Sequence, residues 1–361
     1  MKKIKSLTIK NFRCFNNLSL NFSENIILIK GPNGSGKTTI LESLNYASTM
    51  QSFRTSHITE LINFKESLFY IKIDFFSLQS LKTVYAHKKK IIKFDDKVIK
   101  SYKEISSLFQ AISVTEDDLN LIKGGPEIRR NFLDSVLILT NLNYAQLLKE
   151  HKKIVEQRAA LLQNNSLNKN YYDLWTNELC KKSNLIVSER IRLLDIIKQE
   201  VNNLFENYLN PILNQDLIVD LSYEPKYKLP EDNLINDQLL FEQEKKYGRN
   251  LIGAQLDDFL IIFKTKKSRA FASRGQQKLL VLIFKRVNLK LILQNQYKPE
   301  FLILLLDDFL TDLDEKVVYA LLKLIVSLDI QIFISSPCTS QVIEESLVKQ
   351  NTNFQEIILE L

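Results

Sequence analysis

The chain has 361 residues, 45% of them hydrophobic and 25% charged, with a formal net charge of +7 and a pI near 9.0. That is an ordinary globular composition, long enough for two domains or for one domain carrying a large insertion. The scattered Cys14, Cys180 and Cys338 exclude a disulfide framework or a cysteine zinc site and suit a reducing compartment, and the equally scattered His57, His87 and His151 form no metal cluster.

The positive balance suits an acidic partner such as nucleic acid, although a Lys-, Asn- and Ile-rich bias also follows from AT-rich coding DNA. The start Met1-Lys2-Lys3-Ile4-Lys5 lacks the apolar stretch of a signal peptide, and an apolar run such as Phe301–Leu306, as long as any in the chain, is far too short to cross a bilayer. A cytoplasmic location with no membrane partner is therefore expected.

In chain order, the alternation of Ile4, Leu7 and Ile9, then of Leu18, Leu20 and Phe22, predicts strands. Ile26–Ile29 reads as a buried strand and Thr39–Leu44 as a helix. Between them lie Gly31-Pro32-Asn33-Gly34-Ser35-Gly36-Lys37-Thr38-Thr39, which fit the Walker A pattern. The glycines let backbone N–H groups curl around phosphate oxygens, and the helix start adds its positive end. Lys37 is placed to reach the β- and γ-phosphates, and the Thr38 hydroxyl to ligate Mg²⁺. The expected cofactors are ATP and Mg²⁺.

Leu68–Phe76 and Thr83–Phe94 read as further strands, with solvated turns at Lys88-Lys89-Lys90 and Asp95-Asp96-Lys97. From about Glu116 the period becomes helical: Tyr144, Leu147, Leu148, Ile154, Val155, Leu161 and Leu162 share one face. A polar break at residues 164–170 precedes a second long helix, Tyr171–Tyr208, which Pro211 closes. Trp175 on that helix reads as core rather than as a base-stacking platform. Strands return at Leu217–Tyr223 and Phe259–Phe263. A helix begins near Ser273, and Phe301–Leu306 and Gln331–Ser335 read as buried parallel strands.

Leu304-Leu305-Leu306-Asp307-Asp308 fits Walker B. The strand delivers Asp307 to the metal side of the phosphates, and Asp308 falls where a general base would orient the attacking water. An acidic pair at a helix start is the plainer alternative. Thr311-Asp312-Leu313-Asp314 follows at the spacing of a D-loop. Upstream, Phe271-Ala272-Ser273-Arg274-Gly275-Gln276-Gln277-Lys278 resembles the Ser-Gly-Gly-Gln signature of ABC-type ATPases, with Arg274 in place of the first glycine. Ser273, Gly275 and Gln276 can bind phosphate at a helix start, or Ser273 can simply cap the helix.

With these segments in view the chain resembles the RecF family of SMC-related ATPases along nearly its whole length. The match is carried by Leu7–Phe15, by Gln51-Ser52-Phe53-Arg54-Thr55 with Glu60-Leu61-Ile62, and by Asp118–Pro126 followed by Arg129-Arg130-Asn131-Phe132-Leu133-Asp134. Gln157–Leu162, the signature segment and the Asp307-Asp308 pair extend it. The chain departs from the family at Gln255 and Leu256, which stand where the family has His-Arg. A Q-loop glutamine is not placed; Thr115 or Glu116 lies near where it should be.

The resemblance implies an α/β, ABC/SMC-type P-loop ATPase head assembled from both chain ends, residues 1–115 and 215–361. An α-helical lid domain, residues 116–214, is inserted. It further implies weak, DNA-stimulated ATP hydrolysis with Lys37, Asp307 and Asp308 catalytic, and Thr38 with Asp307 holding the metal. ATP would gate a homodimer in which Ser273 acts in trans. Binding of gapped, single- and double-stranded DNA would serve recombinational repair and replication, with a link to the SOS response. The implied partners are RecO-like and RecR-like mediators and a RecA-type recombinase.

Arg54, Arg129 and Arg130 are the DNA-binding candidates, with Arg129 and Arg130 alternatively pinning the lid through Asp117 or Asp118. The rival readings are a scaffold with weak or no hydrolysis and a transporter ATPase subunit. Asp308 and Ser335-Ser336-Pro337, where transporters carry Glu and His, argue against the second. An overcoming-lysogeny-type nuclease would need a further metal-dependent domain.

Overall fold

The computed structural model describes residues 3–163, 168–227, 238–296, 298–338 and 341–360. The chain divides into two compact units, Met1–Asp118 with Lys278–Leu361, and Leu119–Gln277.

The first unit holds two sheets. Among the described residues the parallel one has five strands, in the order Phe354–Ile358, Ile26–Gly31, Gln331–Pro337, Phe301–Leu306, Phe109–Val114. Ile26–Gly31 and Phe301–Leu306 are buried at every position, because a strand flanked on both sides in a covered sheet meets no water on either face. The two edge strands, Phe109–Val114 and Phe354–Ile358, interleave polar residues and carry no comparable sequence signal.

The second sheet is antiparallel, in the order Phe15–Asn21, Ile4–Phe12, Leu68–Phe75, Ser80–Ala86, Lys89–Phe94, Lys97–Val98. The solvated turn expected at Lys88–Lys90 is tighter than that. Only His87 and Lys88 form it, at φ 49° and 61°, and Lys89 and Lys90 already belong to the next strand. A two-residue turn with both residues at positive φ matches the twist of the strands it joins.

The helix Lys37–Thr49 packs against both sheets, and one core spans them. Tyr46 meets Phe69 edge-on at 5.3 Å, and Phe75 stacks on Phe301 at 3.7 Å between centroids. Each such buried aromatic side chain stabilises the fold by about 1.5–3 kcal/mol. The P-loop thus leaves a fully packed strand and enters a helix buried along most of its length.

The second unit contains the helices Pro126–Thr140, Tyr144–Leu162, Lys169–Leu204 and Gln238–Tyr247. Residues 164–167 of the expected polar break lie outside the described residues. Pro211 does not end the long helix by itself. A π turn, Phe205–Leu209, intervenes, Pro211 sits in the first turn of Asn210–Leu213 where its missing N–H costs little, and Asn214 at φ 50° ends the helical path. Trp175 is half-buried beside Leu179, Cys180 and Ile154, as core.

The second unit continues past residue 214, to Gln277. Val219–Glu224 and Asp258–Phe263 pair with each other, and the latter with Lys266–Lys267, in an antiparallel sheet of their own. Asn202 on the long helix fixes that sheet by exchanging hydrogen bonds with the Val219 backbone at 2.7 and 2.9 Å.

Buried ion pairs hold the helices together. Arg158, 1% exposed, pairs with the fully buried Glu244 at 2.7 Å, and Arg190 forks onto Asp134 at 2.8 and 2.9 Å. Among the described residues no helix is long and apolar enough to cross a membrane.

Candidate nucleotide site

The P-loop is shaped by residues that tolerate no side chain or carry a small one. A Cβ on Gly31 would lie 2.4 Å from Ser35 Oγ and 2.9 Å from the Leu359 carbonyl. One on Gly36, at φ +96°, would strike the Phe15 ring at 2.4 Å. Gly34 is also left-handed, at φ +88°, and faces open space. No side chain caps the start of the helix Lys37–Thr49, and Ser35 Oγ is buried without a hydrogen-bond partner. An uncapped helix start and an orphaned buried hydroxyl are what an anion occupying the loop would satisfy, so these residues fit a nucleotide phosphate chain. Lys37 is buried, and its Nζ donates to the carbonyls of Gly31 and Pro32 at 2.9 and 3.0 Å. Pro32 and Asn33 form the outer bend and Thr39 the inner start of the helix.

Walker A and Walker B meet directly. Thr38 Oγ1 donates to Asp307 Oδ1 at 2.9 Å, across 269 residues of sequence. The Ser335 hydroxyl donates to the same oxygen at 2.9 Å. Burial pushes the Asp307 carboxyl above its ordinary pKa, and these two hydroxyls pull the other way. Asp308 follows at φ 48°, a left-handed conformation that Asp tolerates better than most residues, and its N–H donates to Ser335 Oγ at 2.8 Å. Thr38 and Asp307 offer hard oxygen donors suited to Mg²⁺. Among the described residues no three His, Cys, Asp or Glu side chains gather to hold a metal, so a cation here would depend on phosphate oxygens for further ligands.

A cavity of about 550 Å³ opens over the loop, lined by Arg13, Cys14, Lys37, Thr38, Arg54 and Asp308 among others. In the signature segment Ser273 is exposed and forms a reciprocal capping box. Its Oγ accepts from the Gln276 N–H at 3.3 Å, and Gln276 Oε1 accepts from the Ser273 N–H at 3.0 Å. Gly275 lies in the first turn of that helix, Arg274–Gln294.

The family described as the RecF/RecN/SMC N terminal domain matches residues 3–356. The chain is 32% identical over 322 residues to the DNA replication and repair protein RecF of Clostridium botulinum (strain Eklund 17B / Type B), with 86% of this chain and 87% of that protein covered. The chain belongs to the RecF family. A solved structure of the recombination mediator protein RecF with ATPrS, in the RecFOR pathway, matches with a TM-score of 0.77 at 26% identity, covering 99% of this chain and 98% of the other. The Smc head domain of Pyrococcus furiosus bound to the C-terminal domain of ScpA, at TM-score 0.56 and 16% identity over 96% of this chain and 92% of that one, shares the fold alone. The fold is therefore the α/β ATPase head of the ABC/SMC type.

Two of the DNA-binding candidates, Arg129 and Arg130, have partners within the chain. Arg129 is buried and bidentate to Asp258, at 2.7 and 2.9 Å, and also donates to the Gly124 carbonyl at 2.9 Å. Arg130 donates to the Asp257 carbonyl at 2.6 Å. Their partners are Asp258 and Asp257 rather than Asp117 or Asp118. These contacts lie inside the second unit.

Arg54 is half-exposed and lines the nucleotide cavity, 3.7 Å from Glu42. Glu42 itself was not legible as a site residue. It is fully buried on the P-loop helix and holds Arg13 with two hydrogen bonds at 2.8 and 3.0 Å, as well as the Ser52 hydroxyl. A lone acid inside the apolar run Thr39–Leu44 was its only sequence signal. Glu116, in the Q-loop region, receives the buried Lys278 ammonium at 2.6 Å.

Proposed function

We propose that this protein is a Mg²⁺-dependent ATPase that binds DNA as an ATP-gated homodimer in recombinational repair and replication. The observation that carries this reading is the 2.9 Å hydrogen bond between Thr38 and Asp307, beside an orphaned Ser35 hydroxyl and an uncapped helix start. ATP, when bound, supplies the terminal phosphoanhydride that hydrolysis cleaves. Gly31–Thr39 hold its phosphates, and Lys37 exchanges its two carbonyl partners for phosphate oxygens. Thr38 and Asp307 would hold Mg²⁺, which would supply positive charge beside the phosphates. Asp308 orients the attacking water and takes its proton at a carboxylate oxygen.

Ser273, Gly275 and Gln276 of a second copy complete the site in trans, so that the nucleotide joins two subunits and its hydrolysis parts them. The exposure of Ser273 and its place at a helix start support this. Similarity to a DNA replication and repair protein RecF and to a recombination mediator of the RecFOR pathway supports a role in repair beside RecO-like and RecR-like mediators. On this reading the protein helps a RecA-type recombinase to load on gapped DNA in the cytoplasm, with weak, DNA-stimulated turnover and a link to the SOS response. Arg54, with its side chain 47% exposed, is accessible for a DNA or nucleotide contact.

Sedimentation of wild type and of Ser273→Arg, with a non-hydrolysable ATP analogue and with or without gapped DNA, tests the dimer. Wild type should dimerise and the variant should bind nucleotide as a monomer. A wild type that stays monomeric at micromolar concentration with analogue and DNA present refutes it. Coupling is reciprocal: if ATP tightens DNA binding, DNA tightens ATP binding by the same factor, typically about 5- to 150-fold.

A further inference from the structure

The solvent side of the antiparallel sheet carries an arrangement that neither catalysis nor folding explains. Strand register places Thr8, Lys72, Lys82 and Lys93 directly opposite one another across four adjacent strands. The neighbouring row is Lys10, Tyr70, Val84 and Ile91. Lys89 flanks them at the start of its strand. The residues between these positions, such as Phe69, Ile71, Leu81, Thr83 and Ile92, are buried on the other face.

Like charges directly opposite each other destabilise a sheet. Two of the three lysines are eased by carboxylates, Lys72 by Asp74 and Lys82 by Asp96, each at 2.8 Å. Lys93 has no ion pair among the described residues, and Lys10 and Lys89 keep the face net positive. Solubility would account for lysines here, but not for a half-exposed tyrosine and an exposed isoleucine set in a row beside them.

We propose that this face binds single-stranded DNA, with Lys72, Lys82, Lys93 and Lys10 on its phosphates and the Tyr70–Val84–Ile91 row under its bases. At strand spacings of about 4.8 Å the three aligned lysines span about 10 Å, enough to follow a short length of backbone. An apolar row beside a basic one is useful against unstacked bases, which a duplex hides, and stacking on an aromatic ring is indifferent to sequence. The inference rests on the DNA-binding reading above and gives it a surface.

The test uses the full chain with ATP analogue and three titrants: a single-stranded oligonucleotide, a blunt duplex and inorganic polyphosphate. Lys72→Gln/Lys82→Gln/Lys93→Gln should weaken single-strand binding and reduce its log–log salt slope by about two, at about 0.7 per phosphate contact. Tyr70→Ala should weaken single-strand binding by about tenfold and leave polyphosphate binding unchanged. Both variants should melt cooperatively and hydrolyse ATP at the basal rate without DNA.

If wild type binds single strands and both variants match it, this surface is wrong and DNA binding stands. If the lysine variant loses duplex and polyphosphate as much as single strand, and Tyr70→Ala loses nothing, the face is a plain phosphate surface and the single-strand assignment fails. If wild type binds no DNA, both readings fall.

Discussion

Replacing Asp308 with Asn separates chemistry from binding in a way that the local geometry makes clean. The residue sits at φ 48°, in a left-handed region that Asn shares with Asp. Its N–H bond to Ser335 Oγ, 2.8 Å, involves the backbone and survives the substitution. Side-chain volume barely changes, so the stability change should stay within about 0.5 kcal/mol. Loss of the proton-accepting carboxylate should instead slow hydrolysis by about 10²- to 10⁴-fold, or roughly 3–5 kcal/mol in the barrier. ATP affinity should hold, since the lost interaction is one made during reaction.

Single-turnover hydrolysis measures the first effect, and sedimentation should find an ATP-bound dimer that persists. Asp308→Ala is the informative contrast. It removes the same carboxylate but adds left-handed strain of about 1 kcal/mol, so it should hydrolyse as slowly and melt lower. An Asn variant that turns over near the wild-type rate, or no longer binds ATP, defeats the assignment of Asp308 as the water-orienting acid.

Three further outcomes follow from named contacts. Lys37→Arg keeps the charge but not the compact ammonium seated between two carbonyls, so hydrolysis should fall by orders of magnitude while ATP binding partly survives; steady-state kinetics beside nucleotide titration decides it. Arg158→Met leaves Glu244 buried without a cation and should cost about 3–5 kcal/mol in thermal or denaturant unfolding, and adding Glu244→Leu should recover part of the loss; equal stability of wild type and the single variant would contradict this. His151, buried beside Ser183, has its pKa pushed down from 6.5 to about 4, chiefly by burial and further by Arg190. The unfolded chain therefore takes up its proton first. The stability that neutral His151 contributes is whole above pH 6.5 and is lost as pH falls towards about 4, amounting to about 3 kcal/mol. His151→Gln should flatten that part of the stability–pH curve, and an unchanged curve would rule the effect out.

The candidate nucleotide site draws most of its residues from two short segments, and so its pattern was legible in the sequence. Walker A needs glycines, a lysine and a threonine at fixed offsets between a buried strand and a helix, and every one of those requirements is met within nine consecutive residues. Walker B is likewise one apolar run with an acid at its end. The alternation of Ile4–Ile9 and the continuous burial of Phe301–Leu306 follow from one-sided and two-sided exposure to water, which periodicity records directly.

Tertiary structure alone decided what depends on distant partners. Arg129 meets Asp258 across 129 residues, and nothing near it in sequence names that partner. Glu42 becomes a hub because folding buries its carboxylate against Arg13 and Ser52. Val219–Glu224 pairs with Asp258–Phe263 instead of entering the parallel sheet, a choice that strand propensity does not encode. The lysine rows are invisible along the chain because Lys72, Lys82 and Lys93 lie on three different strands. Backbone register, fixed by burial of the opposite face, brings them into line.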